Sequence, residues 1–205
     1  MGNRKDFRMN SRKKLLCFAL IVLLRQSLIS ELTVPSIISD NMVLQRETCV
    51  PIWGWANAHQ EVIIESSWLD KPYKTKADAS GRWIIKIETP RAEGSYEMTI
   101  STESGKIELK NILMGEVWLC SGQSNMVLPV SQVNNAEREI TEANYPQIHF
   151  FTVDRAVAEE PVDDVNGKWV LCNPETVKDF SAVGYFFGRE VHNKIGVPVG
   201  LINSG

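Results

Sequence analysis

Histidine and cysteine are scarce: three His and four Cys in 205 residues. None of their spacings resembles a zinc site. A concentrated basic face is also missing, and the formal charge of −3 argues against a nucleic-acid binder. No apolar run is long enough to span a bilayer comfortably: Leu15 to Leu24 offers about ten residues where a spanning helix needs about 20. What is present is a hydrophobic fraction of 43%, ample for a packed core, so disorder is not the default.

Arg4, Lys5, Arg8, Arg12, Lys13 and Lys14 precede that apolar run, the pattern of a secretory signal peptide over residues 1–30. Cleavage near Ser27 or Ser30 fits poorly with Arg25 and Leu28, and Met9 is an alternative start. A buried amphipathic or membrane-anchoring helix is the other reading. Cys17 lies too early in the run for a lipoprotein cysteine. A leader implies a periplasmic or secreted protein with no stable membrane span once it is removed. Cys49, Cys120 and Cys172 would then remain, enough for at most one intrachain disulfide. Cys120 ends an apolar strand and reads as a packing residue.

Residues 31–112 read as short strands between turn residues: Val50 to Trp55, Glu61 to Ser66, Trp83 to Glu88, Tyr96 to Ser101 and Lys106 to Leu109. Asp78 to Gly81 and Glu103 to Gly105 are natural hairpin turns, and this spacing predicts a small β-sandwich domain. Asp40 and Asn41 with Trp53, Trp55, Trp68 and Trp83 form either a sugar-stacking surface or, as aromatics in sandwiches more often do, part of the core. His59 falls in a turn.

Residues 113–205 change period. A strand over 117–120 leads to a helix over Asn134 to Ala143 and then a strand over Ile148 to Val153. An acidic loop, Asp154 to Gly167, precedes a helix over Phe180 to Asn193, with Ser181 as candidate cap, and a third strand over Val199 to Asn203. Strand–helix–strand–helix–strand predicts a parallel sheet with right-handed crossovers. Between the first strand and its helix stands Gly115-Glu-Val-Trp-Leu-Cys-Ser-Gly-Gln-Ser-Asn-Met126, which presents one hydroxyl, Ser124, at the carboxyl end of a strand, where open α/β sheets place ligands. Gly122 would supply backbone freedom at the turn, and exposed N–H groups there can receive an oxyanion. Taken locally, Ser124 is equally a helix cap.

This string resembles block I of the SGNH hydrolases, in the form carried by the sialate O-acetylesterase-like carbohydrate esterases. Ser39 to Arg46 (SDNMVLQR), Trp53 to Ala56 (WGWA), Gly81-Arg82-Trp83, Phe180 to Gly188 (FSAVGYFFG) and Val197 to Ser204 (VPVGLINS) are similar to the same family, in the same order. The resemblance implies an α+β two-domain architecture, a small β-sandwich followed by the first half of an α/β/α SGNH-hydrolase domain with a parallel sheet. It also implies a serine esterase that removes acetyl groups from sugar hydroxyls without a cofactor or metal. Ser124 would be the nucleophile, with Gly122, Gln123 and Asn125 shaping the turn and the oxyanion site. Val127 departs from the acidic residue often found there.

The family's glycine-rich second block and its Asp-x-x-His pair would follow Gly205, which is not itself assigned to that block. A serine needs a base, and neither His59, His149 nor His192 occupies a position resembling the catalytic histidine. The 205 residues are therefore expected to be a truncated esterase with little activity, ending on a third strand whose free edge predicts poor solubility. The partner is an O-acetylated carbohydrate; the oligomeric state is open. A non-catalytic glycan-binding module is the alternative, and a lipase or thioesterase ranks below it because no long apolar stretch adjoins Ser124.

Overall fold

The computed structural model describes residues 31–205; the expected leader, residues 1–30, lies outside them. The chain runs β1 (Val43–Gln45), β2 (Cys49–Trp55), β3 (Glu61–Ser66), β4 (Tyr73–Lys76), β5 (Arg82–Glu88), β6 (Ser95–Ser101) and β7 (Lys106–Cys120). Next come α1 (Ser124–Val127), a 3₁₀ turn (Val130–Gln132), α2 (Ala136–Glu142), β8 (Tyr145–Thr152), β9 (Trp169–Cys172), α3 (Pro174–Val177), α4 (Ala182–Ile195) and β10 (Val199–Asn203). It is a mixed α/β structure in which β2 and β5 form a two-stranded antiparallel sheet. The other eight strands form one sheet in the order β4-β3-β6-β7-β10-β8-β9, with β1 also paired to β7.

Alternation makes the β-rich part: in β2, Val50, Ile52 and Gly54 turn inward while Cys49 and Pro51 face solvent. Ile52, Val62, Ile64, Ile87, Ile100 and Ile112 close a core with no exposed surface. Trp83 belongs to that core, and Trp53 and Trp68 pack against it, so the four tryptophans do not share one stacking surface. Asp40 and Asn41 do structural work instead. Asp40 Oδ1 accepts the Lys110 N–H at 2.7 Å, and Asn41 Oδ1 accepts from Asn111 Nδ2 at 2.8 Å, which fastens the loop before β1 to β7.

β7 corrects the expectation of two separate strands at 106–109 and 117–120, because it is continuous over 15 residues and passes through positions 112 and 113. Lys110-Asn111 reads as a break in sequence. In the fold Asn111 adopts φ 55° within the strand, beside the register shift against β6, and buried Ile112, Leu113 and Met114 carry the strand onward. Gly115 is required for a different reason. A Cβ there would stand 2.1 Å from the Pro198 carbonyl oxygen, so its absence lets β7 and the entry to β10 meet.

β10 lies between β7 and β8 and is parallel to both. It is therefore not the free edge expected of the third strand, and the solubility argument built on that edge loses its basis. The ends of the large sheet are β4, whose lysines face solvent, and β9, an unanticipated antiparallel strand. Open backbone occurs elsewhere. β1 stops opposite Gly115, the Gln45 side chain then accepts the Val117 N–H at 2.9 Å, and Leu119 beyond it is 68% exposed.

α4 packs on β10 and β8 through Tyr185 and Gly188, and Phe180 stacks on Phe150 with ring centroids 4.0 Å apart. Burying each such aromatic contributes about 1.5–3 kcal/mol. Ser181 caps α4 as expected, its Oγ accepting the Gly184 N–H at 3.2 Å. None of the helices among the described residues is long and apolar enough to cross a membrane.

Candidate active site

Ser124 opens α1 at the carboxyl end of β7, four residues past Cys120. Residues 121–125 are all exposed. Gly122 has φ 159°, a backbone conformation that residues with side chains rarely adopt, and a Cβ there would also approach the Met126 Cβ to 3.3 Å. Gln123 is the residue before the helix, and its carbonyl accepts from the N–H groups of Met126 and Val127. The N–H groups of Ser124 and Asn125 have no acceptor among the described residues, and neither does the Ser124 hydroxyl. An exposed hydroxyl thus stands beside two free N–H donors, suited to receive charge that develops on an acyl oxygen.

The end of β10 converges on the same turn. The Ser204 N–H donates to the Cys120 carbonyl at 3.0 Å, and the Gly205 N–H to Oδ1 of the buried Asn203 at 3.3 Å. A Cβ on Gly205 would lie 3.3 Å from Met126 Cγ, two residues from the serine. The start of α4 joins them through Ser181 Oγ, 3.3 Å from Met126 Sδ. Sequence reasoning named neither Asn203 nor Gly205 as part of the serine's surroundings. Their signal was there in the strand that ends at Asn203, because parallel neighbours end at the same side of a sheet.

Strand placement is held by residues of the Ser39–Arg46 segment. Arg46 Nε donates to Glu116 Oε1 at 2.9 Å and Gln45 Nε2 to Glu116 Oε2 at 3.1 Å, tying β1 to the root of the serine-bearing half of β7. The Gln45 hydrogen bond and then the Arg46 contacts hold the Glu116 carboxyl below the usual carboxylate range. Replacing Glu116 by Ala is expected to cost about 1 kcal/mol, since charge-assisted bonds are strong but this pair is partly solvated. Denaturant unfolding measures it, and an unchanged midpoint would refute the clamp.

None of the three histidines contacts Ser124. His59 is exposed in the turn between β2 and β3, with φ 63°. His192 lies near the carboxyl end of α4, its Nδ1 2.8 Å from the Val197 carbonyl at the opposite end of the sheet from Ser124. His149 is buried in β8, opposite Gly200, with Nδ1 2.6 Å from the Asn41 carbonyl and Nε2 3.1 Å from that of Pro146. A neutral imidazole donates from one nitrogen only, and the shorter contact assigns the proton to Nδ1. Burial pushes the His149 pKa down, outweighing the two carbonyls that push it up.

A lowered folded-state pKa means that the unfolded chain takes the proton more readily. His149 therefore supports the fold above its unfolded value of about 6.5, and that support is lost as pH falls below it. Thermal melts at about pH 7.5 and 5 should show a larger fall in Tm for wild type than for His149→Gln. Equal falls would rule out this coupling.

Burial raises the thiol pKa of Cys120, and that of Cys172 to about 12, so both pack as apolar groups. No disulfide joins the cysteines of the described residues, and none of their His, Cys, Asp or Glu side chains gather in a group of three that could hold a metal ion.

Parallel strands with helices, and a serine displayed at the carboxyl end of one of them, define the class: a mixed α/β protein with an exposed serine on a strand-to-helix turn. The chain is similar in sequence to sialate O-acetylesterases. It is 30% identical over 187 residues to the rat enzyme and 31% identical over 188 residues to the human one, in each case over 82% of this chain. These alignments cover 34% and 36% of the relatives, so the chain spans about a third of the length of the curated relatives it matches. A crystal structure of a carbohydrate acetylesterase from Xanthomonas citri superposes with a TM-score of 0.81 at 32% identity, over 84% of this chain and 40% of that one. No family model matches the chain.

Proposed function

We propose that this chain carries the nucleophile-bearing part of a carbohydrate O-acetylesterase of the SGNH type, acting on acetyl esters of sugar hydroxyls. One observation carries the reading: the exposed Ser124 hydroxyl beside the free N–H groups of Ser124 and Asn125, in a homologue of acetylesterases. Ser124 Oγ attacks the ester carbonyl, and the tetrahedral oxyanion is received by those N–H groups. The sugar hydroxyl leaves, an acetyl-enzyme remains, and water releases acetate. Gly122 and Gln123 give the turn its shape. The histidines of the described residues lie elsewhere, so none of them is placed to take the Ser124 proton.

The same reading keeps residues 31–112 as a small β-sandwich domain, supported by the β2–β5 pair sharing a core with β3, β6 and β7. Residues 113–205 form the first part of the esterase domain, and β7 is common to both. Residues 1–30 are proposed as a secretory leader, with a periplasmic or secreted product.

The test is acetate release from an O-acetylated N-acetylneuraminic acid by wild type and Ser124→Ala, with and without imidazole as an external base. Imidazole-dependent release above the buffer background, lost in Ser124→Ala, is the expected result. Identical release by the two proteins under every condition would overturn the assignment.

A further inference from the structure

A second feature lies far from the serine. The turn between β3 and β4 and the end of β5 enclose an open cavity of about 410 Å³, lined by Trp68, Asp70, Lys71, Tyr73 and Glu88 among others. That volume is within the range of about 300–1,000 Å³ typical of small-molecule sites. Trp68 is fixed in place: its indole N–H donates to the Glu88 carbonyl at 2.9 Å, and Tyr96 meets it edge-on with ring centroids 5.5 Å apart. An aromatic side chain already immobilised loses little entropy when a ligand stacks on it. Asp70 and Lys71 are exposed and form ion pairs with no side chain of the described residues, so their hydrogen-bonding groups are free.

We infer that this cavity is a non-catalytic subsite for a neutral pyranose unit of a glycan. The apolar face of the sugar ring lies on Trp68 and Tyr73, and its hydroxyls donate to Asp70 and Glu88 and accept from Lys71. Two carboxylates against one ammonium disfavour an anionic sugar, which selects the neutral class. The subsite does not share a single sugar with Ser124. β3 pairs with β6 level with Leu109 of β7, and from Leu109 to Cys120 the strand travels about 36 Å at about 3.3 Å per residue. The site thus holds one part of a longer glycan while another part reaches the strand tips. It is one of the four tryptophans of the sequence reading that acquires this role, because Trp83 is buried.

Calorimetric titration of the whole chain with xylotetraose, which carries no ester, tests this independently of turnover. Saturable binding is expected at millimolar sugar, weakened about tenfold or more by Trp68→Ala, weakened several-fold by Asp70→Ala and unchanged by Ser124→Ala. N-acetylneuraminic acid should bind more weakly than xylotetraose. Absence of saturable xylotetraose binding would overturn the proposal, as would tighter binding of the acid. So would wild-type affinity in a Trp68→Ala protein that melts normally. Should Trp68→Ala not fold, Asp70→Ala decides, and wild-type affinity there rejects the site. A failed esterase assay leaves these binding outcomes unaffected, so the two readings stand or fall separately.

Discussion

Without an added base, these 205 residues should hydrolyse p-nitrophenyl acetate no more than about 10³–10⁴-fold faster than water, the residual that binding and oxyanion stabilisation leave when a triad member is absent. The physical reason is the placement of the imidazoles. His149 is buried and donates from Nδ1 to the Asn41 carbonyl, while His192 lies at the opposite end of the sheet and His59 in the exposed turn between β2 and β3. Imidazole in solution should raise turnover in wild type, because the Ser124 hydroxyl is exposed and diffusing base can reach it. The single variant Ser124→Ala should remove that increment, and His149→Gln and His192→Gln should leave it in place. A rate near that of a complete triad enzyme, abolished by His149→Gln or His192→Gln, would show that the base is one of these residues and sink the argument.

Gly115→Val should be the most damaging single change to the fold. Even a lone Cβ would stand 2.1 Å from the Pro198 carbonyl oxygen and 2.9 Å from the Pro198 Cβ, both on the rigid entry to β10. The β7–β10 pairing runs from Glu116 and Val199 to Cys120 and Asn203, directly beyond this contact, so a displacement at Gly115 is carried to the serine turn. A loss of about 3 kcal/mol or more is expected for Gly115→Ala, and a larger one for Val, since the clash is with backbone and no rotamer relieves it. Urea unfolding of the two variants checks this. A midpoint within error of wild type for Gly115→Ala would mean that the two strands separate at no cost, contrary to the close approach described.

The two effects report on one design, in which the catalytic candidate is supported from below. Glu116, Gln45 and Arg46 brace β7 at its middle, Asn111 and Asn41 brace it lower down, and β10 brings Asn203, Ser204 and Gly205 to its tip. Thus the Ser39–Arg46 segment, whose Asp40 and Asn41 the sequence left open between a sugar-stacking surface and structural packing, works as a strand clamp. The sugar-facing chemistry of the β-rich part is assigned instead to the turn after β3, where Trp68 alone of the four candidate tryptophans lines the cavity.

Much of the secondary structure was legible because its signals are local. Alternating Val50, Ile52 and Gly54, the Ser181 cap and the apolar run Ile148 to Val153 each carry their own period or capping chemistry, and the elements lie where those signals stand. The short elements were not legible. β4, with its sequence Tyr-Lys-Thr-Lys, has almost no apolar content and becomes a strand only because β3 offers it a ladder. β9 likewise depends on pairing with β8 across a long loop.

By itself the sequence determined that a serine is displayed on a small-residue turn after an apolar strand, which homologous string this turn matches, and that few imidazoles exist to serve it. These follow from residue identity and from spacing along the chain; that Trp118 and Leu119 of this strand are exposed rather than buried was not legible there. Only the tertiary structure decided that β7 is one strand, that β10 lies inside the sheet rather than at its edge, and that Gly205 reaches the serine turn. It alone decided that His149 is buried and donates to the Asn41 carbonyl. Those outcomes depend on which strands become neighbours and on which atoms approach across the sheet, distances that separation along the chain does not encode.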